Sequence, residues 1–401
     1  MRTRSAVPID SKRALAALCA SNTLGVLVLY VIPFIVGATV DGFAAREGTA
    51  GIVSSWELGV MAAVSMVLAA RYERLDKHRW SLAGALAFIA GYGLSLWSLT
   101  AGQWYVFLLA RGIVGAGEGI LFGISSGLAA QTAKPDRTFA WFSGSHIVVS
   151  ILCFWALPTA MEWLGPAGAL FTMTGVGMLA APLIAWTPDP ATASPPHPLE
   201  DSSALASGSL PTRERLGSKT VLLLLSVGSL NLGLNTLFPY TERIGISIGF
   251  TLPEIGRILT LGAVISIIGP IAAGVFATRG GRTWTLGLGA ASQVAAAFIF
   301  VYCSSHLLWA GAYVVSSTAL MYFMPLLYGL VAYYDRTGRI NAGAASVTAW
   351  MSAAAPLMSG LVLNGGGSYR ILGWLAAISY AAIFAFAYRP SRAAEAGLRI
   401  R

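Results

Sequence analysis

The sequence predicts an all-α membrane protein whose twelve transmembrane helices form two pseudo-symmetric six-helix bundles, and three observations carry that expectation. Of its 401 residues, 56% are hydrophobic and only 11% charged, with mean hydropathy +0.69, whereas a soluble domain carries about 25% charged residues. Apolar runs of about 18 residues or more, long enough to cross a bilayer, recur along the whole chain. Basic residues gather in every second gap between those runs, as in loops on the cytoplasmic face of a membrane.

The apolar segments, in order, are 14–38, 49–70, 81–99, 104–130, 139–161 and 166–186, then 220–240, 251–277, 284–303, 307–333, 342–362 and 370–388. The first is long enough to span and is followed by no small-residue cleavage site, so it is read as a retained helix. With the N-terminus inside, the cytoplasmic set is Arg2, Arg4, Lys12 and Arg13; Arg71, Arg74, Lys77 and Arg79; Lys134 and Arg137; Arg213, Arg215 and Lys219; Arg279 and Arg282; Arg336 and Arg339; and Arg389, Arg392, Arg399 and Arg401. These are 21 of the 26 basic residues. Arg46, Arg243, Arg257 and Arg370 fall near the other helix ends, and Arg111 lies inside helix four. Both termini are therefore expected in the cytoplasm, with the protein in a prokaryotic inner membrane.

The net charge of +9 is topological: no basic stripe interleaved with aromatics points to nucleic acid. Cys19, Cys153 and Cys303 lie far apart, with no CxxC or Cys/His spacing, so neither a metal site nor a cofactor is expected. Residues 188–218 are rich in Pro, Ser and Ala without apolar periodicity and read as a flexible linker. The single His197 there has no partner ligands nearby. The division expected is an N-terminal bundle, 1–187, the linker, 188–218, and a C-terminal bundle, 219–401.

Two internal echoes support duplication. Arg74, in the gap between helices two and three, corresponds to Arg279, between eight and nine, at an offset of 205 residues. Asp136-Arg137-Thr138, before helix five, corresponds to Asp335-Arg336-Thr337, before helix eleven, at an offset of 199. Duplicated halves are common in transporters.

These loops resemble the signature of the major facilitator superfamily, roughly G-x-x-x-D-R-x-G-R-R after helices two and eight. The second copy keeps Gly274, Arg279, Gly281 and Arg282 but has Thr278 at the acid position. The first keeps Glu73 and Arg74 but has Ala69 and Asp76 in place of glycines. Helix four carries Arg111-Gly-Ile-Val-Gly115-Ala-Gly117, which resembles the superfamily's R-x-x-x-G-x-G motif. A G-x-x-x-G-P-x-x-G-G stretch, typical of its drug–proton antiporters, is missing from helix five. The resemblance implies gating roles for the loop residues, proton coupling for Arg111, and a central cavity lined by helices one, four, seven and ten.

Ionisable groups at membrane depth are functional candidates, because each costs about 2.5–3.5 kcal/mol to insert. Glu57, Arg111, Glu118 and His146 meet that description. Glu57 and Arg111 lie at matching depths and could pair; Glu118 follows Arg111 by two turns on the same face. Burial raises a carboxyl group's pKa and a neighbouring guanidinium lowers it, which suits proton exchange. The bland reading is a fixed ion pair between helices, with His146 bonded to a backbone carbonyl. Gly115, Gly119, Gly123 and Gly127 form a ridge for close helix packing. Asn22 and Tyr30 on helix one, Asn231 and Asn235 on helix seven, and Tyr313, Ser316, Ser317, Tyr322 and Tyr328 on helix ten are candidate solute contacts. Asp41, Glu242, Arg243, Glu254, Arg257 and His306, near helix ends, read as solvated charges or gating pairs.

The function expected is secondary active transport of a small organic solute, an organic anion or carboxylate, driven by protons, by a monomer using alternating access. The alternative is drug or metabolite efflux. No GxxxxGK[ST] or HExxH motif, nor any clustered nucleophile and base, points to an ATPase or an enzyme.

Overall fold

The computed structural model describes residues 7–188, 217–334 and 339–399, and among them all regular structure is helical. The N-terminal set is α1 (Lys12–Val26), α2 (Val28–Phe43), α3 (Glu47–Arg71), α4 (Lys77–Thr100), α5 (Trp104–Ala129), α6 (Pro135–Leu164) and α7 (Ala167–Ile184). The C-terminal set is α8 (Ser218–Leu237), α9 (Thr241–Ser247), α10 (Leu252–Ser266), α11 (Ile268–Gly280), α12 (Arg282–Tyr302), α13 (His306–Tyr334), α14 (Arg339–Asn364) and α15 (Tyr369–Arg399). Ten spans are long and apolar enough to cross a membrane, α8 and α9 together making one of them, and the bent pairs α1–α2 and α10–α11 complete twelve.

Helix one turns by 42° at Leu27 and helix eight by 41° at Ile267. Pro270 lies just beyond the second break; it lacks the N–H that the Ser266 carbonyl would accept and crowds that carbonyl with its ring. Helix twelve departs from expectation at its end: it passes the predicted stop at 388, continuing through Pro390 to Arg399. The extension is held by packing, with Ser391 bonded to Thr283 at 2.7 Å and the Pro390 carbonyl accepting from the Tyr334 hydroxyl at 2.8 Å.

In the N-terminal bundle α5 packs against α1, α3 and α4, while α7 lies on α1, α4 and α6. In the C-terminal bundle α15 lies on α8 and α12, and α13 on α10, α11 and α12. The bundles meet along α3–α14 and α6–α10, with α2 touching α9. The basic gaps converge at one end: Ala133 N–H donates to Asp10 at 2.8 Å, joining the start of α1 to the α5–α6 turn, and the His78 ring lies 3.1 Å from the Thr187 carbonyl. Arg2, Arg4, His197, Arg213, Arg215, Arg336 and Arg401, with most of the expected linker, lie outside the described residues.

Candidate functional site

The charge site begins with glycine. A Cβ at Gly119 would lie 2.6 Å from the Met61 carbonyl, and one at Gly115 would strike the Glu57 carbonyl, so these two positions let α5 ride directly on the α3 backbone. Gly123 is further along the same ridge but is in ordinary contact only, and Gly127 accommodates the Tyr72 ring.

The close approach brings Glu57 onto Arg111. The guanidinium donates through Nε to Glu57 Oε2 at 3.1 Å and through Nη2 to Oε1, a fork-to-fork pair. Its carbon lies 4.6 Å from the centre of the Tyr92 ring on α4, in cation–π geometry. Glu57, Arg111 and Glu118 are each 0% exposed. Arg111 Nη1 and both carboxyl oxygens of Glu118 have no hydrogen-bond partner. Glu118 follows Arg111 by seven residues, about 10 Å along the helix.

Ser125 continues the same seven-residue stripe and joins a second, less enclosed cluster. Asn22 on α1 donates from Nδ2 to Ser125 Oγ at 2.9 Å and to Ser126 Oγ at 3.1 Å. Its Oδ1 lies 3.0 Å from His146 Nε2 on α6, so His146 meets a side-chain amide in place of the backbone carbonyl of the bland reading. Thr23 and Ser145 bridge the same helices at 2.8 Å, and the Tyr30 ring centre is 6.2 Å from that of His146. His146, Tyr30 and Ser126 are partly exposed.

The C-terminal bundle has a counterpart. Asn231 on α8 donates to the Val227 carbonyl at 2.9 Å and to Thr348 Oγ1 on α14 at 3.3 Å; Thr348 in turn lies 3.1 Å from the Tyr328 hydroxyl. Asn235 donates to the Asn231 carbonyl at 2.9 Å and to Ser352 Oγ at 3.4 Å. Tyr322 stands apart from both clusters. Its hydroxyl donates to the Thr285 carbonyl at 2.8 Å and its ring packs on Gly289, so it is turned towards α12. Tyr313 is buried against Gly262 and Trp309. Sequence reasoning passed over Tyr92, Thr23, Ser125, Ser126, Ser145, Thr348 and Ser352. Only Ser125 left a signal, the repeat 111–118–125.

At the end opposite the basic loops the halves are latched. Arg243 on α9 donates to the Gly37 carbonyl at 2.7 Å and to Asp41 at 2.5 Å, both on α2, while its Nε lies 3.0 Å from Glu242. Beside this latch Ser55 donates to the Ala353 carbonyl at 2.5 Å, and a Cβ on Gly48 would meet the Asn364 backbone nitrogen at 2.7 Å.

The two motif loops are built differently. Glu73 and Arg74 are exposed in a short 3-10 turn, and Asp76 caps α4 by accepting from Arg79 N–H at 3.0 Å. In the second loop Gly274 and Arg279 are exposed, and Gly281, at φ +81°, precedes Arg282 at the start of α12. Beside this loop Glu395, from the α15 extension, accepts from Thr283 N–H at 2.8 Å. Among the described residues no group of three or more His, Cys, Asp or Glu could hold a metal, and the three cysteines are free.

No curated protein sequence matches the chain. The fold is similar to that of a D-xylose-proton symporter (TM-score 0.69, 16% identity, covering 93% of this chain and 96% of that one). It is also similar to the human organic anion transporter MFSD10 (TETRAN) (TM-score 0.61, 16% identity, 93% and 99%). A third similar structure is a bacterial homolog of the human lysosomal transporter Spinster, inward-facing and unoccupied (TM-score 0.69, 14% identity, 95% and 96%). At these identities the likeness concerns the fold alone. The sequence itself matches the Major Facilitator Superfamily over residues 14–356, and with the bundle architecture now described, the chain belongs to that superfamily.

Proposed function

We propose that this chain is a proton-coupled secondary transporter that carries a small organic solute by alternating access between residues 1–187 and 219–401, with Glu118 as the proton-binding group. The observation that carries the reading is the contrast along one face of α5. Arg111 is paired through Nε and Nη2 with Glu57, whereas Glu118, equally buried, has no donor on either oxygen. An ionised carboxylate without donors in a dry site is strongly disfavoured, so this conformation suits the protonated acid. Rearrangement that brings water or Arg111 to Glu118 would release its proton. The segregation of basic residues supports an inner-membrane protein with both termini cytoplasmic.

For the solute, the carboxylate expected from Arg111 loses its principal contact, because that guanidinium pairs with Glu57 and lies against Tyr92. The two clusters, each with some partly exposed members, offer amides, hydroxyls and one imidazole. That set matches a neutral, hydrogen-bonding solute, and xylose, carried by the structurally similar symporter, is of this kind.

The test uses proteoliposomes with radiolabelled xylose, mannitol and benzoate under an imposed proton gradient. The wild type is expected to accumulate one or both neutral solutes. Glu118→Gln, which holds the neutral form permanently, is expected to exchange solute at equilibrium without accumulating it. Accumulation by Glu118→Gln with the wild-type pH profile would exclude Glu118 as the proton site, and accumulation of benzoate alone would exclude the neutral solute.

A further inference from the structure

The N-termini of α1 and α6 converge on a cavity of about 380 Å³ at the basic end of the N-terminal bundle. Lys12 is the first residue of α1; Lys134 caps α6 and Arg137 lies in its first turn. All three line the cavity, and none has an ion-pair partner among the described residues. The acidic lining residue, Asp10, accepts from Ala133 N–H at 2.8 Å and so ties down the cavity wall. The positive ends of two helix dipoles add to the three cations.

Lys12, Lys134 and Arg137 are exposed, as are Arg71, Arg74 and Arg79 on the α3–α4 connection. The first three share their cavity with the apolar Leu15 and Leu18, and Trp141, one turn beyond Arg137 on α6, is 52% exposed at the rim. Cations on one side, aliphatic side chains on the other and an exposed indole between them match the sequence phosphate, glycerol backbone, acyl chain at a bilayer interface.

We propose that this cavity binds the headgroup of an anionic phospholipid from the leaflet at the basic end, with Lys12, Lys134 and Arg137 on its phosphodiester. The position has a consequence for the bundle. Asn22 lies ten residues along α1 from Lys12, and His146 nine residues along α6 from Arg137, each about 14–15 Å. A headgroup bridging the two helix starts fixes the spacing of the helices that carry the Asn22–His146 contact. The inference does not depend on the proposed proton chemistry.

The test is native mass spectrometry of the full chain in detergent, titrated with phosphatidylglycerol, phosphatidylcholine or inorganic phosphate. The wild type is expected to retain phosphatidylglycerol over phosphatidylcholine. Lys12→Gln/Lys134→Gln/Arg137→Gln is expected to bind it about a hundredfold more weakly, at roughly 1 kcal/mol per cation. A control, Arg71→Gln/Arg74→Gln/Arg79→Gln, removes the same charge from the exposed loop and is expected to bind normally. The single change Arg137→Glu provides the same readout should the triple variant fold poorly. Equal loss in the control would reduce the effect to diffuse charge and overturn the site. Displacement of the lipid by millimolar phosphate would overturn the lipid assignment in favour of a soluble anion.

Discussion

Removing either partner of the Arg111–Glu57 pair should damage the protein far more than removing both. At 3.1 Å and an effective dielectric of about 20, the Coulomb attraction is about 5 kcal/mol, which only offsets the several kcal/mol needed to strip water from each ion. The pair as a whole is therefore worth little relative to well-packed apolar side chains. A single survivor is different: with both groups 0% exposed, it has no water to turn to, and losing its partner costs roughly 3–5 kcal/mol. Arg111→Met and Glu57→Leu are each expected to lower stability by about that amount, and the double variant to return to within about 1 kcal/mol of the wild type. Denaturant titration in mixed micelles, following helical signal and compaction together, measures the cycle. Additive losses, with the double variant the least stable of the three, would refute the sealed-pair geometry and mean that one of the groups reaches solvent.

Two further outcomes follow from the close contacts. Gly360→Leu is expected to push α14 from α3, because a Cβ there already meets Ile52 N at 3.1 Å; pulsed EPR between labels at the exposed positions Tyr105 and Leu307 should report a longer distance, and an unchanged distance would deny that this contact seals the end opposite the basic loops. Asp76→Ala removes the cap on α4 and is expected to cost about 1 kcal/mol, read as a lower denaturation midpoint; a loss restored by Asp76→Ser would identify the cap rather than the Arg79 ion pair as its source.

The spans were legible because lipid admits only one local solution for a long apolar run, a helix that satisfies its own backbone. Glu57, Arg111 and Glu118 were legible because charge at membrane depth is rare, and their matched depths along α3 and α5 even indicated the pair. Helix rotation was not legible. Tyr322 and Tyr328 both sit on α13, yet one bonds the Thr285 carbonyl and the other Thr348, a difference set by how α12 and α14 pack around the helix. Thr348, and Ser125 apart from its place in the 111–118–125 repeat, were hard to single out for a related reason: hydroxyls can always return to their own helix backbone, as Ser125 does to the Leu121 carbonyl at 2.6 Å, so their presence in a span says little until a partner such as Asn22 is placed. The end of α15 was placed too early because the apolar run ends at 388, whereas Ser391 and Glu395 beyond it are held by Thr283.

The arrangement also identifies a helix that joins the buried charges to the contact between the bundles. Glu57, which closes the Arg111 pair, lies two residues from Ser55, whose hydroxyl crosses to α14 in the other bundle. The same helix begins at the Gly48–Gly360 contact and is gripped along its length by the Gly115–Gly119 ridge of α5. Helix α3 therefore joins the buried charges to the bundle interface. On the proposed proton chemistry, a change that loosens Arg111 from Glu57, such as transfer of the guanidinium towards a deprotonated Glu118, would release α3 where Ser55 and Gly48 hold it to α14. Because Glu118 lies on α5, and α5 continues to Ser125 and the Asn22–His146 cluster, the same displacement reaches the partly exposed polar groups. The buried charges, the Asn22–His146 cluster and the α3–α14 contact are thus joined by two packed helices with almost no space between them at Gly115 and Gly119, so a small movement at the charges has no soft region in which to dissipate.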